Sequence, residues 1–243
     1  MRRNLGLVDV MQAIVPESLA LPVAILTQLG ALWFAILILA AVYRYRDREE
    51  ALVIGSVLLA GTATWRLIKG VYPVPRPVES LTNPETLPSL LQPVFELLVV
   101  QGGPGFPSGH AVTTTIVYFM LAMYFAVGTR WQRYLAATAV VALVGLTRIT
   151  LGVHYVVDVI AGSLIGHLWL GIILLVPIVS DRPRIEIALL AAIAMASINL
   201  GATAEFNSTT VNNVIILGVS LFVYAWWHFV IGDRLGNSFD RFS

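Results

Sequence analysis

Apolar residues fill long stretches of this chain, and polar residues fall mainly in the gaps between them. Runs near 19–43, 51–69, 109–128, 134–152, 155–179, 185–202 and 211–232 are each apolar enough to form a membrane-spanning helix, since a bilayer core of about 30 Å takes about 20 such residues. The pattern predicts an all-α, polytopic membrane helix bundle, with residues 1–243 forming a single integral-membrane domain. The fourth and fifth runs almost touch, so a tight turn around Leu151-Gly152-Val153 is expected at the membrane edge. Between the second and third runs lies a long loop, 78–108, whose apolar part from Leu87 to Val100 reads equally well as an interfacial cap or as a loop resting on the bilayer.

Composition agrees with the pattern. The chain is 58% hydrophobic with a mean hydropathy of +0.82 and only 12% charged, about half the charged share of a soluble domain. Cysteine is absent, which excludes disulfides, thiolate metal sites and a cysteine nucleophile. The start, Met1-Arg2-Arg3-Asn4-Leu5, is basic, but Asp9, Gln12 and Pro16 interrupt the residues after it. It is therefore read as a short amphipathic surface segment over 5–15 and not as a cleaved signal.

Charge placement orients the bundle. Arg44, Arg46 and Arg48 follow the first run, Arg130 and Arg133 the third, Arg182 and Arg184 the fifth, and Arg234 and Arg241 the seventh. These connections share one side, which the positive-inside tendency makes cytoplasmic. Arg66, Lys69, Arg76 and Arg148 belong to the opposite ends of the second and fourth runs, so the loop 78–108 and the turn near 150–155 lie on the non-cytoplasmic face.

Three short stretches on that face carry chemistry. The first is Lys69 and, after six residues, Arg76-Pro77; Lys69 is the only lysine in the chain. Prolines at 73, 75 and 77 make the connecting arm stiff and extended. A straight polyproline arm of that length would span about 22 Å, so Gly70 is expected to supply a bend that brings the two cations together. The second, Pro107-Ser108-Gly109-His110, opens the third helix. There Ser108 can cap the helix and meet an anion, Gly109 admits an oxyanion close to the backbone, and His110 can donate a proton to a leaving oxygen. The third stretch is Arg148, His154 and Asp158. His154 and Asp158 share a helix face at i, i+4, so Asp158 can hold the ring and leave Nε2 free to attack phosphorus, with Arg148 as a planar fork for two phosphate oxygens. Each stretch alone has a plain structural reading: a snorkelling lysine, a capped turn, an interfacial ion pair. Their convergence on one face favours a metal-independent phosphate site.

These stretches resemble the signature of the type 2 phosphatidic acid phosphatase family, which shares its site with bacterial acid phosphatases and vanadium haloperoxidases. The match covers Lys69, Arg76, Pro77, Pro107, Ser108, Gly109, His110, Arg148, His154 and Asp158; Thr147 stands where that pattern has serine. The resemblance implies a six-helix phosphatase core, to which the seventh, C-terminal helix is an addition. It also implies double displacement with His154 as nucleophile, Asp158 orienting it and His110 as general acid. Lys69, Arg76, Ser108, Gly109 and Arg148 would bind phosphate, and no metal or cofactor would be needed.

The expected function is hydrolysis of a lipid phosphate or diphosphate, such as a polyprenyl diphosphate, phosphatidate or phosphatidylglycerophosphate, at the non-cytoplasmic face of the plasma membrane. The alternatives are a phosphotransferase with an alcohol acceptor and a non-catalytic lipid-phosphate binding or transport protein. Membrane lipids are the expected surroundings, and nothing calls for nucleic acid. His167, His228 and the tryptophans, including Trp226-Trp227, are read as packing or interfacial residues, and Asp181 and Asp233 as solvated loop charges.

Overall fold

The computed structural model describes residues 5–78, 80–99, 102–180, 182–202 and 208–232, and among them every regular element is helical. The N-terminal part comprises α1 (Leu7–Ile14), α2 (Ala20–Leu26) and α3 (Leu32–Tyr45). The bundle continues with α4 (Arg48–Val71), a short α5 (Gln92–Val99), α6 (Gly109–Tyr124) and α7 (Arg130–Thr150). It ends with α8 (Val156–Val179), α9 (Arg184–Ala202) and α10 (Ser208–Trp226), which runs into a π-helical stretch, Trp227–Gly232.

Local sequence explains where the helices begin. The Asp47 side chain accepts a hydrogen bond from Glu50 N at 2.8 Å and starts α4, with Glu49 and Glu50 in its first turn, where carboxylates suit the positive end of the helix dipole. Thr129 and Gln132 form a reciprocal capping box on α7. Ser108 caps α6.

The centre of the bundle is α4, which packs against α3, α6, α8, α9 and α10. Its buried residues are mostly small or branched, among them Ala51, Ile54, Val57, Ala60 and Gly61. A β-carbon on Gly61 would meet Ile116 Cδ1 at 2.5 Å and Val112 Cγ1 at 3.1 Å, so a larger residue there would force the α6 side chains to shift. The α6–α8 seam works in the same way. Gly162 and Gly166 are four apart on α8, and added β-carbons would stand 2.4 Å from Ser108 O and 2.6 Å from Thr115 Cβ. Small residues at this spacing let helices pack backbone to backbone in a membrane. On the other side of α8, Ile160, Leu164 and Leu168 are all more than half exposed, an apolar stripe suited to lipid.

Among the described residues, five helical segments are long and apolar enough to cross a membrane: Arg48–Val71, Arg130–Thr150, Val156–Leu175, Arg184–Ala202 and Val211–Phe229. They correspond to five of the seven runs. The third run forms the 16-residue α6, about 24 Å long at 1.5 Å per residue and buried along most of its length.

The first run departs from expectation. Residues 19–43 do not form one helix: α2 passes into a 3-10 turn, Thr27–Gly30, and the chain then extends at Ala31 (φ −74°, ψ 144°) before α3. The 17–30 segment instead forms a pair with α1, bent by 93°. The reason is contact. A β-carbon on Gly30 would meet Val144 Cγ1 at 2.7 Å and His110 Cβ at 3.2 Å, so the turn is pressed against α6 and α7. Gly70 departs too: α4 runs through it to Val71, and the bend falls at Tyr72, where Val74 N donates to Tyr72 O. The 5–15 segment does contain a helix, and Val8 is buried where α1 packs on α7. Arg2, Arg3, Glu79, Val100, Gln101, Asp181, Asp233, Arg234 and Arg241 lie outside the described residues.

Candidate active site

All three sequence stretches meet at one end of the bundle, where α4, α6, α7 and α8 begin or finish. Each anchors to another through the backbone. Ser108 N donates to Asp158 O at 2.9 Å, joining the start of α6 to the start of α8. Gly105 N donates to Val74 O at 2.7 Å, tying the loop before α6 to the proline arm. The arm passes so close that a β-carbon on Gly105 would lie 3.2 Å from Arg76 Cγ.

The cations line up along this junction. Lys69 Nζ donates to Pro104 O at 2.7 Å, and Arg76 donates from Nε to Gly103 O at 3.1 Å and from Nη2 to Pro104 O at 3.3 Å. Arg76 Nη1 donates to Val153 O at 2.9 Å and also lies 3.3 Å from Nε2 of His154. Because arginine only donates, Nε2 is the accepting nitrogen in that contact. The stiff arm therefore delivers Arg76 directly onto His154.

Arg148 is fully buried at the end of α7. Its Nη1 faces Thr27 Oγ1 at 3.5 Å, while Nε and Nη2 have no acceptor among the described residues. Unsatisfied buried donors cost about 1–3 kcal/mol each and more when charged, so an anion is the natural complement of this fork. Past Leu151, Gly152 adopts φ +69°, a left-handed conformation that suits glycine. The chain turns there so that Val153 N and His154 N both return to Arg148 O, at 3.2 and 3.3 Å. One residue thus supplies both the fork and the backbone anchor for the histidine.

His154 is only 1% exposed. Burial, with the positive charges of Arg148, Arg76 and Lys69 nearby, holds its imidazole well below the ordinary value, and contact with the Gly105 backbone works the other way. It is a neutral ring at neutral pH. Asp158 shares its face as expected, but Oδ2 lies 3.6 Å from Nδ1, too long for a formed hydrogen bond. The same Oδ2 accepts from Tyr155 N at 2.9 Å, so the carboxylate also holds the first turn of α8.

Ser108 and His110 take up their expected places with one qualification. Ser108 is fully buried, and its Oγ faces Ala111 N at 3.4 Å as a helix cap. His110 lines a cavity of about 1130 Å³ together with Lys69, Arg76 and Gly109, and its buried Nε2 has no partner among the described residues. His154 is not on the cavity wall, because Arg76 stands between.

Three features were missed in the sequence. Thr27 braces Arg148 from the broken first run; its signal was the polar pair Thr27-Gln28 inside an apolar stretch. Carbonyls of Gly103 and Pro104 engage both Lys69 and Arg76. Trp65 backs the site: its ring lies 5.1 Å from Lys69 Nζ and 4.7 Å from Arg66 Cζ, and a β-carbon on Gly109 would touch it at 3.0 Å. The loop 78–108 supplies α5, whose Leu97 and Leu98 line the cavity; Leu98 O accepts from Gln28 Nε2 at 3.0 Å. The helix is therefore a wall of the site. His167 bonds Ser163 O at 2.8 Å and His228 packs on Tyr224, away from the site.

Known proteins resemble this chain in sequence and in fold. Residues 50–182 match the PAP2 superfamily. Phosphatidylglycerophosphatase B of Bacillus subtilis (strain 168) is 34% identical over 84 residues, 32% of this chain and 41% of that protein. Lipid A 4'-phosphatase of Porphyromonas gingivalis is 30% identical over 126 residues, 51% of this chain and 50% of that protein. The chain thus aligns with half or less of these curated relatives. A crystal structure of a transmembrane PAP2 type phosphatidylglycerolphosphate phosphatase from Bacillus subtilis shares the fold, with a TM-score of 0.53 and 24% identity over 68% of this chain and 82% of the other.

Proposed function

The chain belongs to the PAP2 superfamily, and on that premise we propose that it is an integral-membrane phosphatase that removes a phosphoryl group from a lipid phosphate or diphosphate. The observation that carries this reading is the buried Arg148 fork. Two charged donors without an acceptor among the described residues lie beside a turn that holds a neutral histidine against Arg76. A tetrahedral dianion satisfies those donors and brings an electrophilic phosphorus to the imidazole.

Binding exchanges acceptors. The substrate phosphoryl oxygens replace the Gly103 and Pro104 carbonyls on Lys69 and Arg76 and occupy the Arg148 fork. Arg76 leaves Nε2 of His154, which then attacks phosphorus. Asp158, one turn along α8, orients the ring and stabilises the positive charge that develops on it. His110, on the cavity wall with a free Nε2, protonates the departing lipid oxygen. Ser108 and Gly109 place the α6 N-terminus against the phosphate. Water then cleaves the phosphohistidine and releases inorganic phosphate. Cationic side chains carry the charge stabilisation, so the reaction proceeds with a chelator present.

The site lies at the end of the bundle opposite Arg46, which donates to Tyr124 O, and opposite Arg130, which opens α7. By the positive-inside rule this is the non-cytoplasmic face, and in a bacterial cell it faces away from the cytoplasm across the plasma membrane. There a headgroup can enter while the hydrocarbon tail stays in lipid.

The test is phosphate release by purified protein in detergent with a chelator, comparing wild type with His154→Ala on a polyprenyl diphosphate and on phosphatidate. Release by wild type alone supports the assignment. Equal release by both proteins, or by neither, removes it.

A further inference from the structure

One cation in the cavity has no part in this phosphoryl transfer. Arg66 lies three residues before Lys69 on α4, so the two share a face, with Arg66 about 4.5 Å further along the axis into the bilayer-facing part of the bundle. The cavity-lining residues of α4 include Thr62, Trp65, Arg66 and Lys69, a stripe at helical spacing. Trp65 carries both cations, with Arg66 Cζ 4.7 Å and Lys69 Nζ 5.1 Å from its ring. Lys69 is bonded to Pro104 O, whereas Arg66 Nε is buried and has no acceptor among the described residues. Among the described residues no carboxylate pairs with it, and an arginine held in a membrane bundle in that way is expensive unless it has a function.

The order of groups along the stripe carries the argument. Lys69 stands with Arg76 at the level of the reacting phosphoryl group. Below it comes Arg66, with the Thr62 and Thr113 hydroxyls also on the cavity wall; Leu32, Trp33 and Leu97 provide apolar surface. A lipid entering headgroup-up presents, in this order, its terminal phosphoryl group, whatever joins it to the tail, and the tail. We infer that Arg66 is a specificity-determining residue: with Trp65 and Lys69 it forms a second anion subsite for a phosphoryl group directly behind the one transferred, so the site is built for a lipid diphosphate.

The inference rests on the phosphatase reading and deepens it. In that reaction the bond from phosphorus to the bridging oxygen breaks as the His154 Nε2–phosphorus bond forms. The electron pair stays on the lipid monophosphate that departs. The charge gained by that leaving group is adjacent to Arg66, which bonds it more strongly as the bond breaks. A lipid monophosphate offers Arg66 no such group.

The experiment compares inorganic pyrophosphate with inorganic phosphate as competitive inhibitors of phosphate release from a polyprenyl diphosphate, in wild type and in Arg66→Ala, Arg66→Gln and Arg66→Lys. We expect Arg66→Ala and Arg66→Gln to weaken pyrophosphate inhibition about ten- to a hundredfold, the loss of a charge-assisted contact, and phosphate inhibition by less than about threefold. Arg66→Lys should restore part of the difference. Equal weakening of both inhibitors, or of neither, overturns the subsite. The same two ligands, titrated by calorimetry into His154→Ala with and without Arg66→Gln, test the subsite without turnover. If wild type releases no phosphate from any lipid, the phosphatase reading fails, while this titration still decides whether Arg66 recognises the second phosphoryl group. A variant that elutes aggregated is replaced by Arg66→Lys, which keeps the charge and the packing of the stem.

Discussion

Arg76 Nη1 lies 3.3 Å from Nε2 of His154, so the guanidinium covers the nitrogen assigned to attack phosphorus. The same Nη1 is anchored on Val153 O, one residue before the histidine. In the proposed reaction the arm that carries Arg76 to the site therefore also covers the His154 ring until a phosphoryl group draws the guanidinium away.

Removing that cover should have two opposite effects. Arg76→Ala is expected to lower kcat/KM roughly a hundredfold, through loss of charge-assisted phosphate contacts. It should also speed acylation of His154 by an imidazole-directed reagent, read by mass spectrometry. Slower labelling in the variant would show that Arg76 does not cover the ring.

The buried histidine should give the fold a pH dependence of known sign. Burial and the neighbouring cations keep the folded-state pKa of His154 well below its ordinary value, which is about 6.5 in an unfolded chain. Above that value the ring is neutral in both states and has no effect. As pH falls below it, the unfolded chain takes up the proton first and stability declines, by at most about 1.4 kcal/mol per pH unit. The thermal midpoint of wild type should thus drop more steeply between pH 7 and 5 than that of His154→Gln. Parallel curves would refute the assignment.

Thr27 should matter through Arg148. Its Oγ1 faces Nη1 of that buried fork, and Thr27→Val keeps the shape while removing the acceptor. The expected result is a rise in KM of about three- to tenfold with Thr27→Ser near wild type, since one weak hydrogen bond is worth about 1 kcal/mol. An unchanged KM would show that the fork is positioned by packing alone.

The α6–α8 seam should be intolerant of a single methyl group. A β-carbon on Gly162 would sit 2.4 Å from Ser108 O, so Gly162→Ala must push the start of α6 away from Asp158. Overpacking of this kind costs about 1–3 kcal/mol, and here the displaced group is part of the site. Activity should fall more than tenfold in protein that is still folded. Gly171→Ala, where nothing lies within 4 Å, is the matched control and should behave as wild type.

Several of these relationships were legible beforehand. The i, i+4 pairing of His154 and Asp158, Ser108 as a helix cap and the turn at Gly152 all follow from local spacing, because helix periodicity and turn geometry act over a few residues. The reading went wrong where contact between distant segments decided the backbone. Gly30 breaks the first apolar run because it is pressed against His110 and Val144, and hydropathy cannot register a neighbour that is 80 or more positions away. The bend assigned to Gly70 moved to Tyr72 because the helix continues through the glycine, and the arm is then tied by the Gly105–Val74 bond.

Asp158 shows where the two kinds of information divide. Its type and its place on the face of His154 were set by the sequence, yet its Oδ2 is 3.6 Å from the ring and bonded to Tyr155 N. What this sequence determines by itself is the class of protein and the residue types placed at the candidate site. Apolar length, charge placement and motif spacing are properties of consecutive residues and act at short range. Only the tertiary structure decides who touches whom: Arg76 on His154, Thr27 on Arg148, and both Arg66 and Lys69 on the Trp65 ring. Those contacts depend on how closely helices approach, and that is set by glycines and side-chain volumes packed across the whole bundle.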